Sequence, residues 1–246
     1  MIATERITYI KNWIIEYCKS MTKEANSLVV GISGGIDSSV TSTLCALTGK
    51  KTIVLSMPIK QIKKQHDLSL KHSKWLKDKF NNVEFSLIEL DNVYKSFENS
   101  LNNFDNEHGL ANSRARLRMA ALYQVSASNN GIVVGTGNKI EDFGVGFYTK
   151  YGDGGVDISP IADCNKTQIW EMGRDLGILE EIIKAEPTDG LWDDGRSDVS
   201  QLGMSYQELE KAMHDTGHKN HKKYLEIRER NLHKMKPIPF CKMKND

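Results

Sequence analysis

The chain has 246 residues, with 33 Lys+Arg against 32 Asp+Glu for a formal charge of +1, and 39% of its residues are hydrophobic. That is average globular usage, with enough apolar material for a substantial core, and a charge this close to zero argues against a nucleic-acid backbone as the main partner. No run of about eighteen apolar residues is available to cross a bilayer, the N-terminus lacks the apolar centre of a secretory signal, and the four cysteines form no C-x-x-C pair, which disfavours a zinc knuckle, a dithiol redox site or a disulfide framework. A soluble, cytosolic protein is the expectation.

Residues 4–20 carry Ile7, Ile10, Ile14 and Tyr17 at helical spacing and predict an amphipathic helix. Residues 27–32 form an apolar run without alternation, the pattern of a strand buried on both faces. A Gly/Ser/Asp loop follows, then Val40, Leu44 and Leu47 on one helical face. A second buried strand is expected over 52–57, stopped by Pro58, a helix over 63–80 and a third strand over 83–90. Helices are expected over 91–104 and 110–128, and a fourth strand over 131–135. Short strands alternating with longer helices predict βαβ units, so the fold class is α/β: an open parallel sheet with helices on both faces, Rossmann-like, in a single domain. The pattern changes after residue 142. Residues 144–157 hold five glycines and three aromatics. Helices are expected over 165–176 and 178–184, a loop over 185–203, helices over 205–214 and 218–232, and a basic tail from His233.

Ligands of such sheets bind beyond the carboxyl ends of the strands. There the chain reads Gly31-Ile32-Ser33-Gly34-Gly35-Ile36-Asp37-Ser38-Ser39. Glycines let the backbone approach a ligand closely, and successive N–H groups with a following helix N-terminus make an anion cradle. The lysine of a P-loop is missing, since Asp37-Ser38 stands in its place, and the spacing does not fit G-x-G-x-x-G. A carboxylate beside phosphates makes sense when Mg²⁺ lies between them. A plain strand-to-helix turn with a Ser/Asp cap is the structural alternative.

The run Ser33-Gly-Gly-Ile-Asp-Ser38 resembles the pyrophosphate loop of the N-type ATP pyrophosphatases. Within that group, Asn112–Met119, Val133–Asn138, Gly146–Asp157 and Glu186–Asp189 resemble, in order, segments of the ammonia-dependent NAD synthetase family. The similarity runs from about residue 27 to His233-Lys234. It implies a fold of the adenine nucleotide alpha-hydrolase type, with an N-terminal helix over 1–26, a nucleotide-binding core over 27–142, and substrate loops with C-terminal helices over 143–246. It also implies that ATP and ammonia convert deamido-NAD⁺ to NAD⁺, AMP and pyrophosphate through an acyl-adenylate, the last step of NAD biosynthesis. The implied ATP contacts are residues 31–38, Thr136, Lys166 and Thr188. Asp37 and Glu141 are the implied Mg²⁺ carboxylates. Arg116, Lys150, Asp157, His233 and Lys234 are the implied deamido-NAD⁺ contacts, in a homodimer with the substrate site at the subunit interface.

The residues themselves add several expectations. Lys166 sits at a helix start, a poor place for a cation unless a phosphate compensates. Asp153 is a candidate to take a proton from ammonium, with a turn role as its alternative, so the candidate catalytic groups are Asp37, Lys166 and Asp153. Helical geometry sets Arg116 beside Met119, Ala120 and Tyr123 on the less polar side, leaving Arg114 and Arg118 as solvated charges. This chain carries one residue more between Glu141 and Lys150 than the family pattern. His214, His218 and His221 have a spacing open to zinc, but Gly217 interrupts their helix. No amidase-type cysteine context is found, so free ammonia is the expected nitrogen donor. Two other readings compete: the same chemistry on tRNA or a purine nucleotide, and a nucleotide-sensing module without turnover. The first lacks C-x-x-C or strong basicity, and the second would not need Asp37 with Glu141 or the 144–157 loop.

Overall fold

The computed structural model describes residues 1–243. Four parallel strands, β1 (Ser27–Gly31), β2 (Lys51–Ser56), β3 (Val83–Leu87) and β4 (Gly131–Val133), lie in the order β3-β2-β1-β4. The register pairs Ser27 with Lys51 on one side of β1 and Ser27 with Gly131 on the other. In central β1, Leu28, Val29 and Val30 are wholly buried. Leu28 and Val30 face one layer of helices and Val29 the other. That double burial is why the strand reads as a continuous apolar run. Each such side chain contributes roughly 1.5–3 kcal/mol by leaving water.

On one face pack α1 (Ala3–Ser20), α2 (Ile36–Leu47), α3 (Lys63–Lys79) and α6 (Lys166–Leu176). On the other lie α4 (Asp91–Ser100) and α5 (Glu107–Ser128), whose Tyr94, Met119 and Leu122 cover Val29, Ile53 and Val133. The expected strand over 83–90 stops at Leu87, and the fourth strand is three residues long, extended by a parallel bridge from Val134 to Ile158.

The short α7 (Glu180–Ile183) adds Ile182 and Ile183 to the core around α1, α2 and α6. A separate apolar cluster is built by α8 (Asp198–Leu202), α9 (Tyr206–His214) and α10 (His221–Met235). Leu202, Tyr206, Leu209 and Tyr224 pack there on Ile140 and Val145. Ile140–Val145 is a π-helical segment, a widened turn that absorbs a single extra residue. Helix α8 lies inside the stretch expected to be a loop. Among the described residues, no helix is long and apolar enough to cross a membrane.

Candidate active site

The turn between β1 and α2 is built for close approach. Gly34 has φ +89°, and a Cβ there would stand 2.5 Å from the Gln65 carbonyl oxygen and 2.9 Å from the Ser69 nitrogen. Only glycine fits both the conformation and the space. The Gly35 N–H donates to Ser33 Oγ at 3.2 Å, and Ser38 Oγ lies 3.1 Å from Ser33 Oγ. No side chain caps α2 at Gly35, so its first N–H groups are left to an anion.

Three charged side chains face this turn. Gly173 lets α6 lie close on α2, since a Cβ there would come within 2.7 Å of Ile36 Cδ1. That close packing brings Lys166, seven residues earlier on the same helix face, against Asp37. Lys166 Nζ donates to Asp37 Oδ2 at 2.5 Å and to Glu141 Oε1 at 3.0 Å. The lysine side chain is 2% exposed, against 17% and 16% for its partners. Burial works against the ammonium, yet the two carboxylates outweigh it and hold its pKa above the usual lysine value. The anion that a cation at a helix start requires is therefore a pair of carboxylates. Asn138 organises the pair: its Nδ2 donates to Asp37 Oδ1 at 3.0 Å, while its Oδ1 accepts from the Ile140 and Glu141 N–H groups.

These groups line a cleft of about 680 Å³, within the usual range for ligand pockets. Residues 31–38, Thr136, Glu141, Lys166 and Thr188 all line it, as do Arg116, Lys150, Asp153, His233 and Lys234. Thr188 Oγ1 accepts from Gln65 Nε2 at 2.5 Å. The end of α10 docks on the glycine-rich 144–157 loop: Lys234 Nζ donates to the Tyr148 carbonyl at 2.8 Å, and Lys150 Nζ to that of His233 at 3.5 Å. Asp153 Oδ1 accepts the Thr149 N–H at 3.0 Å, but the enclosure of the cleft still pushes its carboxyl up to about 6. Asp142 lies over Gly137, where a Cβ would clash with its carboxylate. Burial, then Glu141 and Asp153, push it up to about 8.

Asp157 does not line this cleft. Its carboxylate accepts from Tyr123 Oη at 3.0 Å and from the Val133 N–H at 2.7 Å, fastening the loop to the sheet edge. The expected arginine faces are reversed. Arg114 is buried, pairs with Asp193 at 2.7 Å and lies over the Tyr94 ring. Arg118 donates to the Met57 carbonyl and to Gln61 Oε1, both at 3.0 Å. Arg116 is exposed at the cleft rim, with its Nε 3.3 Å from the Lys150 carbonyl oxygen. Helical spacing identifies which residues share a face but not which face meets the cleft. His221 Nδ1 lies 2.7 Å from the Ala212 carbonyl oxygen and joins α9 to α10.

Asn138 closes the Val133–Asn138 segment, which signals its position but not its task, and Tyr206 and Asp198 carry no local sequence signal.

A glycine cradle at a strand end is thus faced by two carboxylates and a buried lysine. Residues 6–243 match the family described as NAD synthase. The chain is 38% identical over 252 residues to the NH₃-dependent NAD⁺ synthetase of Methanosarcina acetivorans, covering 93% of this chain and 96% of that one. It is 35% identical over 211 residues to that of Carboxydothermus hydrogenoformans, covering 84% and 83%. Its structure resembles the NMN synthetase of Francisella tularensis with TM-score 0.90 and 30% identity over 99% of this chain and 100% of that one. It resembles the NH₃-dependent NAD synthetase of Campylobacter jejuni with TM-score 0.77 and 26% identity over 98% and 100%. The chain belongs to the NAD synthase family, a family of ligases.

Proposed function

We propose that this enzyme joins ammonia to the nicotinate carboxylate of deamido-NAD⁺ at the expense of ATP, giving NAD⁺, AMP and pyrophosphate in the cytoplasm. The carrying observation is the convergence of Asp37, Glu141 and Lys166 on the Ser33–Ser38 cradle. The carboxylate of the acceptor attacks the α-phosphorus, forming an acyl-adenylate and releasing pyrophosphate. The α2 N-terminus and the loop N–H groups receive the pyrophosphate, so catalysis rests on positioning and electrostatics. Lys166 supplies positive charge beside the phosphates, and Thr136 and Thr188 face ATP. Arg116, Lys150, His233 and Lys234 hold the acceptor. Ammonia then attacks the acyl carbon, AMP leaves, and Asp153 takes the proton shed by nitrogen.

The donor set fits Mg²⁺. Lys166 already places a cation between Asp37 and Glu141. Among the described residues, no group of three or more His, Cys, Asp or Glu could hold a metal ion. The protein would thus supply two carboxylates and leave other positions to phosphate oxygens and water, the usual Mg²⁺ arrangement. When bound, Mg²⁺ supplies charge neutralisation for the leaving pyrophosphate. The assembly we infer is a homodimer.

A second acceptor has support in two observations. The likeness to an NMN synthetase reaches TM-score 0.90, and Asp157, implied to contact the dinucleotide, is committed to Tyr123 and Val133. Both favour nicotinate mononucleotide, the acid form of NMN. Purified protein with ATP, Mg²⁺, ammonium and either acceptor distinguishes the two. Amide product with stoichiometric AMP and pyrophosphate is expected, and the acceptor with the higher kcat/KM is the substrate. Pyrophosphate released with neither acceptor would overturn the amidation reading.

A further inference from the structure

Tyr206 is the first residue of α9 and is fixed there from several sides. Ser205 caps the helix in a reciprocal box with Glu208. The Tyr206 ring is 2% exposed and meets Trp170 edge-on at 6.3 Å. Its hydroxyl lies 2.5 Å from Glu141 Oε1 and 2.8 Å from Asp198 Oδ2, and Lys166 Nζ stands 4.5 Å from the ring centroid. One side chain thus touches both the carboxylate and the lysine that face the phosphate cradle.

Asp198 extends the connection. It is 4% exposed, its Oδ1 has no hydrogen-bond partner, and it lines the same cleft. Its N–H donates to the Pro187 carbonyl at 3.0 Å, one residue before Thr188. The Tyr206 hydroxyl has one proton to donate, so it bonds one of the Glu141 and Asp198 carboxyl groups at a time while lying against both. The segment that carries Thr188 is linked to Glu141 through this contact and the α8 backbone.

We propose that Tyr206, backed by Asp198, is a positioning residue that aims Glu141 at the metal-bearing phosphates and keeps Lys166 over its ring. This rests on the reading of Asp37 and Glu141 as the pair that holds Mg²⁺. Its consequence is a specific defect: without the hydroxyl, Glu141 loses its orientation while the cradle and the N–H groups of α2 stay intact. Nucleotide binding that does not involve the metal is then preserved.

The test is calorimetric titration of ATP into the full chain, with Mg²⁺ and with EDTA, for wild type, Tyr206→Phe and Asp198→Asn. Phenylalanine keeps the ring against Trp170 and Lys166, and asparagine keeps the shape beside Tyr206. Thermal unfolding establishes that each variant is folded at the titration temperature. Affinity in EDTA should match wild type within about twofold. The gain in affinity from Mg²⁺ should shrink about tenfold in Tyr206→Phe, the loss of one hydrogen bond to a charged group, and less in Asp198→Asn. Wild-type gain in both variants would overturn the proposal. Parallel weakening with and without Mg²⁺ would also overturn it, because a merely structural tyrosine acts that way. Absence of any Mg²⁺ effect in wild type would instead remove the metal reading beneath it.

Discussion

Replacing Lys166 with methionine should destabilise the free protein and make its stability depend on Mg²⁺. Methionine keeps an unbranched stem of similar length, so the side chain still covers Tyr206 and no large cavity opens. The ammonium is what disappears. Asp37 and Glu141 then face each other without their shared cation, having stood 2.5 and 3.0 Å from it. Removing one partner of a buried ion pair costs about 3–5 kcal/mol. Both carboxylates keep some water, at 17% and 16% exposure, which argues for the lower end, about 3 kcal/mol. For a chain of this length, each kcal/mol moves the melting temperature by about 2–4 °C, so Lys166→Met should melt about 6–12 °C lower in EDTA. Mg²⁺ should then recover part of the loss, because it finds two carboxylates with no competing cation. Wild type should gain less. Thermal unfolding by circular dichroism in EDTA and in Mg²⁺ measures both effects. A variant melting within about 2 °C of wild type in EDTA, or a deficit that Mg²⁺ leaves unchanged, would refute the electrostatic reasoning.

Three further outcomes follow from the same geometry. Gly34→Ala forces a Cβ against the Gln65 and Ser69 backbone, so ATP binding should fall below detection by calorimetry; unchanged affinity would show that the cradle is not the phosphate site. For Asp153, pushed up to about 6 mainly by burial, the ionised base is lost as pH falls through that value. At fixed free ammonia, kcat/KM should therefore decline below about pH 6, and Asp153→Asn should remove both this limb and most of the rate. His72 is buried, hydrogen-bonded to Ser42 at 3.0 Å, and pushed down to about 4 by burial. Its folded pKa lies below the free value of about 6.5, so the unfolded state binds the extra proton between them. Relative to a variant without this imidazole, stability should then drop by about 3 kcal/mol as pH falls from 6.5 to 4, the raised carboxyls of Asp142 and Asp153 being common to both proteins. Urea unfolding at several pH values measures it, and His72→Gln should flatten that slope.

What could be read from sequence was what depends on neighbours in the chain. Leu28 to Val30 announced a strand buried on both faces, and Gly34 with Asp37 announced an anion cradle beside a cation. Lys166 at a helix start signals a need for negative charge, but the sequence points to phosphate, whereas the partners in the structure are Asp37 and Glu141. The failures are all matters of packing. The arginines at 114, 116 and 118 have fixed angular positions on α5, but only the placement of Met57, Gln61 and Asp193 decides which of them are enclosed. The hydrogen bond that Asp157 accepts from Tyr123, a residue of α5, likewise has no signal in its own segment. The π-helical segment over 140–145 has no distinct hydrophobic period, so an ordinary helix and a widened one read alike.

Lys166 also explains how two carboxylates can wait in one cleft. Glu141 and Asp37 approach a common point from helical segments far apart in sequence, and without a cation their repulsion would spread the cleft or force one to take a proton. The lysine closes that gap while the nucleotide is absent, with its stem buried and its head shared between them. On the proposed reading, phosphate on the cradle would offer the ammonium a further partner, and Asp37 and Glu141 would be the residues to hold Mg²⁺, which would supply charge neutralisation there. The buried lysine is thus needed before binding as well as during reaction. Arginine at this position would keep the charge and could bridge both carboxylates, but its bulkier planar fork cannot place a single donor where the buried Lys166 Nζ stands. Lys166→Arg should therefore retain more stability than Lys166→Met in EDTA yet recover little pyrophosphate release. A variant with full release would show that charge alone, rather than its placement over Tyr206, is what the site requires.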